Sequence, residues 1–286
     1  MNAIILAAGT SSRFVPLSYE KPKGLLEVKG EVLIERQIRQ LQVAGIKDIT
    51  IIVGYKANLF LYLRKKFGVR IVLNEDYYRY NNTSSIIRVI NELGDTYICS
   101  SDNYFPENVF VGNPIQSYYS ALYADGDTSE YCLTTDNEDN ITEVKIGGSN
   151  AWYMVGHVFF NKQFSTKFIK FIKDDYALDE TKHGYWEDVY IRHIQELPPM
   201  KMHRYLPNEI KEFDTLDELR QFDESYINNT QSILLKQICA IHGWRESQLH
   251  DFKQIKDLGN THIFSFMVDG TKYVYDSSAE TNVIIR

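Results

Sequence analysis

Apolar and polar positions in the amino-terminal third of the chain predict strands and helices in alternation. Residues 3–8 form a continuous apolar run, residues 32–44 have helical spacing, and residues 48–53 form a β-branched run before a glycine. Helices at 57–67 and 84–93 and strands at 70–73 and 96–100 continue the alternation. Strands that alternate with helices indicate a Rossmann-like α/β fold, with a mostly parallel sheet flanked by helices.

The middle of the chain changes to short alternating stretches separated by Asp, Asn and Gly. Residues 131–135, 141–146 and 153–160 predict antiparallel strands added to the sheet, which makes the sheet mixed. Helices are expected at 163–174, 186–196 and 216–222, the last beginning near Thr215 or Asp214.

After residue 226 the pattern restarts. It predicts a helix at 231–242 and strands at 261–268 and 272–275 that an Asp269-Gly270 turn joins. We therefore expect a main domain at 1–226 and a small α+β appendage at 227–286. The appendage is short enough to be marginally stable alone, so we expect it to dock on the main domain.

The composition of the chain excludes some classes of binding partner. The formal net charge of -7 argues against a nucleic-acid backbone, and no apolar run approaches the roughly 18 residues of a membrane span. Cys99, Cys132 and Cys239 lie far apart without metal-ligand spacing, and the first apolar run lacks the basic segment of a signal peptide. We expect a soluble, cytoplasmic protein that binds small molecules rather than nucleic acid or membrane.

The first predicted strand leads directly into a segment suited to a triphosphate. Small residues there let the backbone approach a nucleotide, and consecutive N–H groups in a turn can form an anion-binding nest. Arg13 and Lys23 supply positive charge, and Pro22 restricts the direction of Lys23. A small-residue turn alone also occurs in α/β proteins that bind nothing there. The combination with Arg13 and Lys23 is narrower, and it predicts a nucleotide site with these two residues as catalytic groups.

The arrangement resembles the signature of the sugar-nucleotide pyrophosphorylase superfamily, LAAGxGSR followed by PL and then PK. Within it, the chain is most similar to the LicC-type choline-phosphate cytidylyltransferases, over roughly residues 1–225. The similar segments are Ile-Ile-Val-Gly-Tyr at 51–55, Tyr-Asn-Asn at 80–82, Asp-Asn-Tyr at 102–104, Tyr-Trp at 185–186 and Glu-Phe-Asp at 212–214. Ser11 departs from the signature, which has a glycine there. Molybdenum-cofactor nucleotidyltransferases carry a serine at this place, so the departure does not imply lost activity.

The resemblance implies a set of site residues. It assigns Mg²⁺ to Asp102 and Asp214, with Glu212 assisting, and carboxylate oxygens suit this ion. The implied nucleotide-binding residues are Leu6, Ala7, Ala8, Gly9, Thr10, Ser11, Tyr55, Asn82 and Ser85. The polar segment with Asn82 and Ser85 is also typical of an ordinary helix N-cap.

The acceptor site follows from the chemistry of choline. A quaternary ammonium has no N–H to donate, so its site needs aromatic faces and a carboxylate. The candidates that the resemblance supports are Tyr131, Tyr185, Trp186 and Glu187, and Trp152 is a further candidate without that support. The chain has 20 tyrosines, so each one is also a candidate for ordinary packing.

The function implied by the resemblance is transfer of CMP from CTP to phosphocholine, which gives CDP-choline and pyrophosphate. Two alternatives are a same-fold enzyme acting on another phospho-alcohol or a sugar 1-phosphate, and a non-catalytic nucleotide-binding module. Residues 260–275 resemble the start of a choline-kinase-like domain, but no kinase catalytic lobe follows before Arg286. The appendage is therefore interpreted as an incomplete kinase amino-terminal lobe, either a remnant or a cut from a longer two-domain chain, and as a candidate docking element for a kinase partner or a second copy of the chain.

Overall fold

The structure is a computed structural model that describes residues 1–258, 261–278 and 283–285. Contacts divide the chain into two compact units. The first contains Met1–Gly9 and Leu33–Glu212, and the second contains Thr10–Val32 and Phe213–Arg286. The grouping of Thr10–Val32 with the carboxyl-terminal part was not anticipated by the boundary expected at residue 226.

The strands are β1 (Asn2–Ala7), β2 (Glu27–Val28), β3 (Glu31–Val32), β4 (Ile49–Val53), β5 (Arg70–Leu73), β6 (Thr96–Ser100), β7 (Tyr118–Thr135), β8 (Ile141–Phe160), β9 (Lys201–Arg204), β10 (His250–Leu258), β11 (Thr261–Val268), β12 (Thr271–Asp276) and β13 (Val283–Ile285). The helices are α1 (Leu17–Glu20), α2 (Leu33–Val43), α3 (Tyr62–Phe67), α4 (Thr83–Arg88), α5 (Lys162–Asp175), α6 (Asp179–His183), α7 (Trp186–Arg192), α8 (Leu216–Phe222) and α9 (Ile233–His242). No helix in the described part of the chain has both the length and the apolar character needed to cross a membrane.

The first unit is built on a seven-stranded sheet of order β5-β4-β1-β6-β8-β7-β9. Strands β5, β4, β1 and β6 are parallel to one another, and β8 pairs antiparallel with both β6 and β7. The predicted mixed, mostly parallel sheet flanked by helices is confirmed. Burial of β-branched residues drives it, because all five residues of β4 are buried.

The three predicted antiparallel stretches are two long strands in the structure. Residues 141–146 and 153–160 both belong to β8, so the prediction of a break between them is wrong. The register of β7 against β8 shifts repeatedly, and Gly147 and Gly156 have φ values of +77° and +67°. Such irregularities bend a strand and interrupt its alternation of polar and apolar residues. This interruption explains why the sequence pattern predicts two strands where the structure has one.

Side chains from the parallel strands and from α5 and α7 form the core of the first unit. Ile4, Ile52 and Ile98 contribute from neighbouring strands, and Phe164 and Trp186 contribute from the helices. Helix α5 begins with Asn161 as its N-cap, whose side chain accepts a hydrogen bond from the Phe164 amide. The core thus fixes α7, which carries the predicted acceptor residues.

The second unit contains an antiparallel sheet of order β10-β11-β12-β13 and the two-stranded β2–β3 ribbon. The predicted strands at 261–268 and 272–275 are confirmed as β11 and β12, and the helix expected at 231–242 is α9. Strands β10 and β13 were not predicted. Asn260, the first residue of the kinase-like stretch at 260–275, lies outside the described residues.

Candidate functional site

The carboxyl ends of β1, β4 and β6 lie side by side, which is where ligands gather on parallel sheets. The Tyr55 amide donates to the Ala8 carbonyl at 3.1 Å, and the Ser101 amide donates to the Leu6 carbonyl at 3.1 Å. A Cβ on Gly54 would lie 2.9 Å from the Ala8 oxygen, so only glycine allows this approach. The predicted residues Leu6, Ala7, Ala8 and Tyr55 are therefore brought together at this edge. Gly9 follows them and is exposed, with open space around its Cα.

The signature continues into the second unit with an exposed Thr10 and a tight turn. Ser11 has φ +53° and ψ +46°, and its carbonyl accepts from the Phe14 amide at 2.9 Å across a 3₁₀ turn at Ser12–Phe14. The left-handed conformation explains why the superfamily signature has glycine at this place, since it costs a side-chain-bearing residue about 1 kcal/mol or more.

The two predicted catalytic cations share one carboxylate in the second unit. Arg13 Nη1 lies 2.8 Å from Asp214 Oδ2, and Lys23 Nζ lies 3.6 Å from Asp214 Oδ1. The side chain of Lys23 is 7% exposed and that of Arg13 is 72% exposed. Asp214 is held in turn by its own amide, which donates to Glu218 Oε2 at 2.8 Å, just before the predicted Thr215 cap of α8.

The segments that carry Asp102 and Glu212, which were predicted to bind metal, are joined in the first unit. The backbones of Tyr104 and Lys211 exchange two hydrogen bonds of 2.8 and 2.9 Å, which places the loop after β6 beside Glu212. The buried Asn103 side chain donates to Glu212 Oε2 at 3.4 Å. Asn103 belongs to the Asp-Asn-Tyr segment at 102–104, and the sequence alone predicts no role for it. The structure shows that it links the two carboxylate-bearing segments.

Asp214 belongs to the second unit, so the predicted metal ligands are divided between the units. Among the described residues, no three His, Cys, Asp or Glu side chains form a preassembled metal cluster.

Asn82 and Ser85, predicted to face the nucleotide base, have partners within the first unit. The Trp186 amide donates to Asn82 Oδ1 at 2.8 Å, and Asn82 Nδ2 donates to Glu187 Oε2 at 3.4 Å. Asn74 donates to the buried Ser85 hydroxyl at 3.0 Å. Asn82 stands at the N-cap position of α4, but its side chain makes no capping hydrogen bond, because it bonds to Trp186 and Glu187 instead. Base contact by Asn82 and Ser85 stays a prediction.

Glu187 lies in the first turn of α7 and is half-buried. The Tyr119 hydroxyl donates to its Oε1 at 3.0 Å, and Asn82 donates to its other oxygen. Burial raises the pKa of Glu187 to about 7, against the lowering effect of these two hydrogen bonds. Both donors are neutral, so they orient the carboxylate without neutralising its charge. Tyr119 was missed by sequence reasoning, because only the fold places β7 beside α7.

The predicted aromatic residues differ in what they can offer a ligand. Tyr185 is 46% exposed, and its ring centroid lies 6.3 Å from that of Tyr131 at a nearly perpendicular angle. The Tyr131 hydroxyl donates to Asp188 Oδ1 at 2.9 Å, which fixes the ring. Trp186 is 1% exposed and stacks on Tyr119 within the core. Tyr185 thus presents accessible ring surface, whereas Tyr131 is partly buried against the core. Direct ligand contact by Trp186 stays a prediction.

Two further side chains have clear structural roles. The guanidinium of Arg204 lies 5.4 Å from the Trp152 ring centroid, so one face of this ring is covered by the protein itself. Burial lowers the pKa of His157 to about 3, which keeps this core imidazole neutral.

Comparisons with known proteins agree with the fold. Residues 3–124 match the MobA-like NTP transferase domain. The chain is 34% identical over 224 residues to the choline-phosphate cytidylyltransferase of Streptococcus pneumoniae, covering 78% of this chain and 97% of that protein. It is also 34% identical over 230 residues to the 2-aminoethylphosphonate cytidylyltransferase of Lancefieldella rimae, covering 79% of this chain and 93% of that one.

A solved structure supports the same relationship. The CTP:phosphocholine cytidylyltransferase LicC of Streptococcus pneumoniae superimposes with a TM-score of 0.76 at 34% identity, over 78% of this chain and 98% of that one. The fold therefore occurs in a protein that is similar to this chain along most of its length. The chain belongs to the nucleotidyltransferase family of the LicC-type choline-phosphate cytidylyltransferases.

Proposed function

We propose that this protein transfers CMP from CTP to phosphocholine and releases pyrophosphate. The observation that carries the choice of acceptor is Glu187, a half-buried carboxylate held by two neutral donors. A quaternary ammonium satisfies such a carboxylate by charge alone and packs its methyl groups on aromatic faces. Tyr131 and Tyr185 supply those faces in the same unit.

In this proposal the triphosphate is bound by the signature segment, which we define as residues 6–23. Lys23 is buried with a fixed direction and stabilises the charge that develops at the α-phosphate, while the exposed Arg13 exchanges Asp214 for phosphate oxygens. The backbone N–H groups around the left-handed Ser11 add a small anion-binding nest.

The reaction needs no nucleophile from the protein. An oxygen of the phosphocholine phosphate forms a bond to the α-phosphorus of CTP, and the bond from this phosphorus to the β-phosphate oxygen breaks. Pyrophosphate leaves with that electron pair. A phosphomonoester has a second pKa near 6, so its attacking oxygen is already deprotonated at neutral pH. Orientation and charge stabilisation are therefore the main demands on the chain.

Mg²⁺ is the cofactor we propose, and the donor chemistry fits it. Asp102 and Glu212 offer hard carboxylate oxygens from two segments that hydrogen bonds hold together. The resemblance also implies Asp214, which belongs to the second unit. When bound, the ion neutralises phosphate charge.

A second acceptor is favoured by one observation, the equal 34% identity to a 2-aminoethylphosphonate cytidylyltransferase. Its primary ammonium would donate N–H bonds to Glu187, which phosphocholine does not do. We propose phosphocholine as the preferred acceptor because the exposed Tyr185 ring suits methyl groups. We also propose a cytoplasmic location, which the three free, buried cysteines support.

The test is pyrophosphate release from each of the four NTPs, with and without Mg²⁺, in the presence of phosphocholine, 2-aminoethylphosphonate, phosphoethanolamine or a sugar 1-phosphate. We expect release with CTP and phosphocholine only when Mg²⁺ is present. Product formation with a sugar phosphate alone would overturn the acceptor, and inactivity with every pair would favour the nucleotide-binding module.

A further inference from the structure

One carboxylate joins the segment before Lys23 to helix α9 in the second unit. Glu20 Oε1 accepts hydrogen bonds from the Ser232 hydroxyl at 2.5 Å and the Leu234 amide at 3.0 Å, and Oε2 accepts from the Ile233 amide at 2.9 Å. These amides are among the first N–H groups of α9, which have no partner within the helix. Glu20 therefore acts as a cap supplied from a distant part of the chain, with favourable charge for a helix N-terminus.

Neighbouring contacts attach the same segment at further points. The buried Tyr19 ring stacks on His262, with centroids 4.1 Å apart and an 18° angle. Strand β10 contacts the Ser12–Phe14 turn that holds Arg13. The signature segment is thus held by α9, β10 and β11 rather than by a single bond.

The link from Glu20 to Lys23 is short and stiff. Lys21 is extended, Pro22 has a fixed φ, and the Leu25 amide donates to the Pro22 carbonyl at 2.9 Å. A shift of the Glu20 carboxylate is therefore transmitted to Lys23, which has little free volume in which to adjust because it is buried.

We propose that the carboxyl-terminal segment is a positioning element for nucleotidyl transfer, which acts by anchoring Glu20 and so fixing Lys23. This inference rests on the proposed function. The resemblance to the cytidylyltransferases extends over roughly residues 1–225, and the pneumococcal relative matches 78% of this chain. Ser232 and His262 belong to the part beyond that resemblance, so this chain carries its own support for the signature segment.

A purely structural role for Glu20 is the competing explanation, and the chain offers a matched control. Glu35 on α2 is also buried, and it accepts from the Tyr62 hydroxyl at 2.8 Å and from Lys66 Nζ at 2.7 Å. These bonds lie wholly within the first unit. Glu35→Ala should therefore destabilise the protein without moving Lys23.

The experiment compares full-length wild type with Glu20→Ala, Glu20→Gln, Ser232→Ala and Glu35→Ala. For each, kcat and KM for CTP, the melting temperature and hydrogen exchange of the peptide containing residues 23–26 are measured. We expect Glu20→Ala to lower kcat about tenfold, which is about 1.4 kcal/mol of transition-state stabilisation. Hydrogen exchange near Lys23 should rise, and Glu20→Gln should recover part of both effects because it keeps an acceptor oxygen.

Glu35→Ala should lower the melting temperature and leave kcat unchanged. An equal fall in kcat for Glu35→Ala and Glu20→Ala would overturn the proposal, as would unchanged kcat and exchange in Glu20→Ala. Ser232→Ala removes one of the same bonds and carries the test if Glu20→Ala does not fold. If every acceptor is inactive, the proposed function fails alone, and exchange near Lys23 still decides whether Glu20 fixes this segment.

Discussion

The guanidinium of Arg13 lies 2.8 Å from the carboxylate of Asp214. Lys23 approaches the other oxygen of the same carboxylate, so one acidic side chain restrains both proposed catalytic cations before substrate binds. The two cations differ in burial, and this difference predicts different kinetic roles. The buried Lys23 has a fixed position from which it can stabilise a transition state, whereas the exposed Arg13 has room to follow the substrate.

Lys23→Met should lower kcat by at least about a hundredfold, the usual loss when a preorganised charge is removed. Arg13→Met should mainly raise KM for CTP. Lys21→Met is the control, because this exposed lysine lies two positions away on the same segment. Steady-state kinetics check all three, and a loss of kcat in Lys21→Met as large as in Lys23→Met would contradict the assignment.

Gly156→Ala should destabilise the protein through a clash with Asn103. A Cβ at Gly156 would lie 2.8 Å from Asn103 Oδ1, and its φ is +67°. Gly126→Ala is a matched control, since Gly126 has φ +95° and a Cβ placed there would meet no other atom within 4 Å. Both changes carry the left-handed cost of about 1–2 kcal/mol, and the clash adds about 1–3 kcal/mol at Gly156 alone.

Urea unfolding of the two glycine variants measures that difference. The Mg²⁺ concentration for half-maximal activity should also rise in Gly156→Ala, because Asn103 holds Glu212. Equal free energies of unfolding in the two variants would contradict the predicted clash, because they would show that the Asn103 side chain moves aside at no energetic cost.

Ser11→Gly should relieve backbone strain at the signature turn. Serine at φ +53° costs roughly 1 kcal/mol that glycine does not, although glycine also gains entropy in the unfolded chain. We expect a small net gain in stability and unchanged or higher kcat. A fall in kcat of tenfold or more would instead indicate that the Ser11 hydroxyl contacts the phosphates.

Binding of a cationic acceptor should weaken as the pH falls through about 7, where Glu187 becomes protonated. KM for phosphocholine should therefore rise at acidic pH. The phosphate of the substrate also titrates near pH 6, so the comparison is with Glu187→Gln. In that variant KM should be higher at pH 8, and the part of the pH dependence that belongs to Glu187 should be absent.

The raised pKa of Glu187 also predicts how the stability of the protein depends on pH, and this dependence runs opposite to that of acceptor binding. Between the unfolded pKa, about 4.3 for Glu, and the folded value of about 7, the folded state binds more protons than the unfolded state. The free energy of unfolding should therefore fall as pH rises through this window. Glu187→Gln should be more stable than wild type at pH 8 without ligand, and a less stable variant would contradict the origin of this pKa shift in burial.

Local patterns predicted the parallel strands of the sheet and the signature turn. Both can be recognised from neighbouring residues alone, as a run of β-branched residues or a turn of small residues. The sequence pattern predicts two strands in place of the long strand β8, because Gly147 and Gly156 interrupt its alternation of polar and apolar residues. The roles of Tyr119 and Asn103 were not predicted, because each depends on a partner more than 60 positions away. The capping role of Glu20 was likewise not predicted, because its partners at the start of α9 lie more than 200 positions further along the chain.

The most direct test of the proposed function is competition between acceptors for limiting CTP. Phosphocholine, phosphoethanolamine and 2-aminoethylphosphonate are mixed at equal concentration with Mg²⁺, and the cytidylylated products are separated by mass spectrometry. The ratio of products gives the ratio of kcat/KM values. We predict that CDP-choline exceeds the other products by at least about tenfold, or about 1.4 kcal/mol. A mixture dominated by the 2-aminoethylphosphonate product would contradict the account.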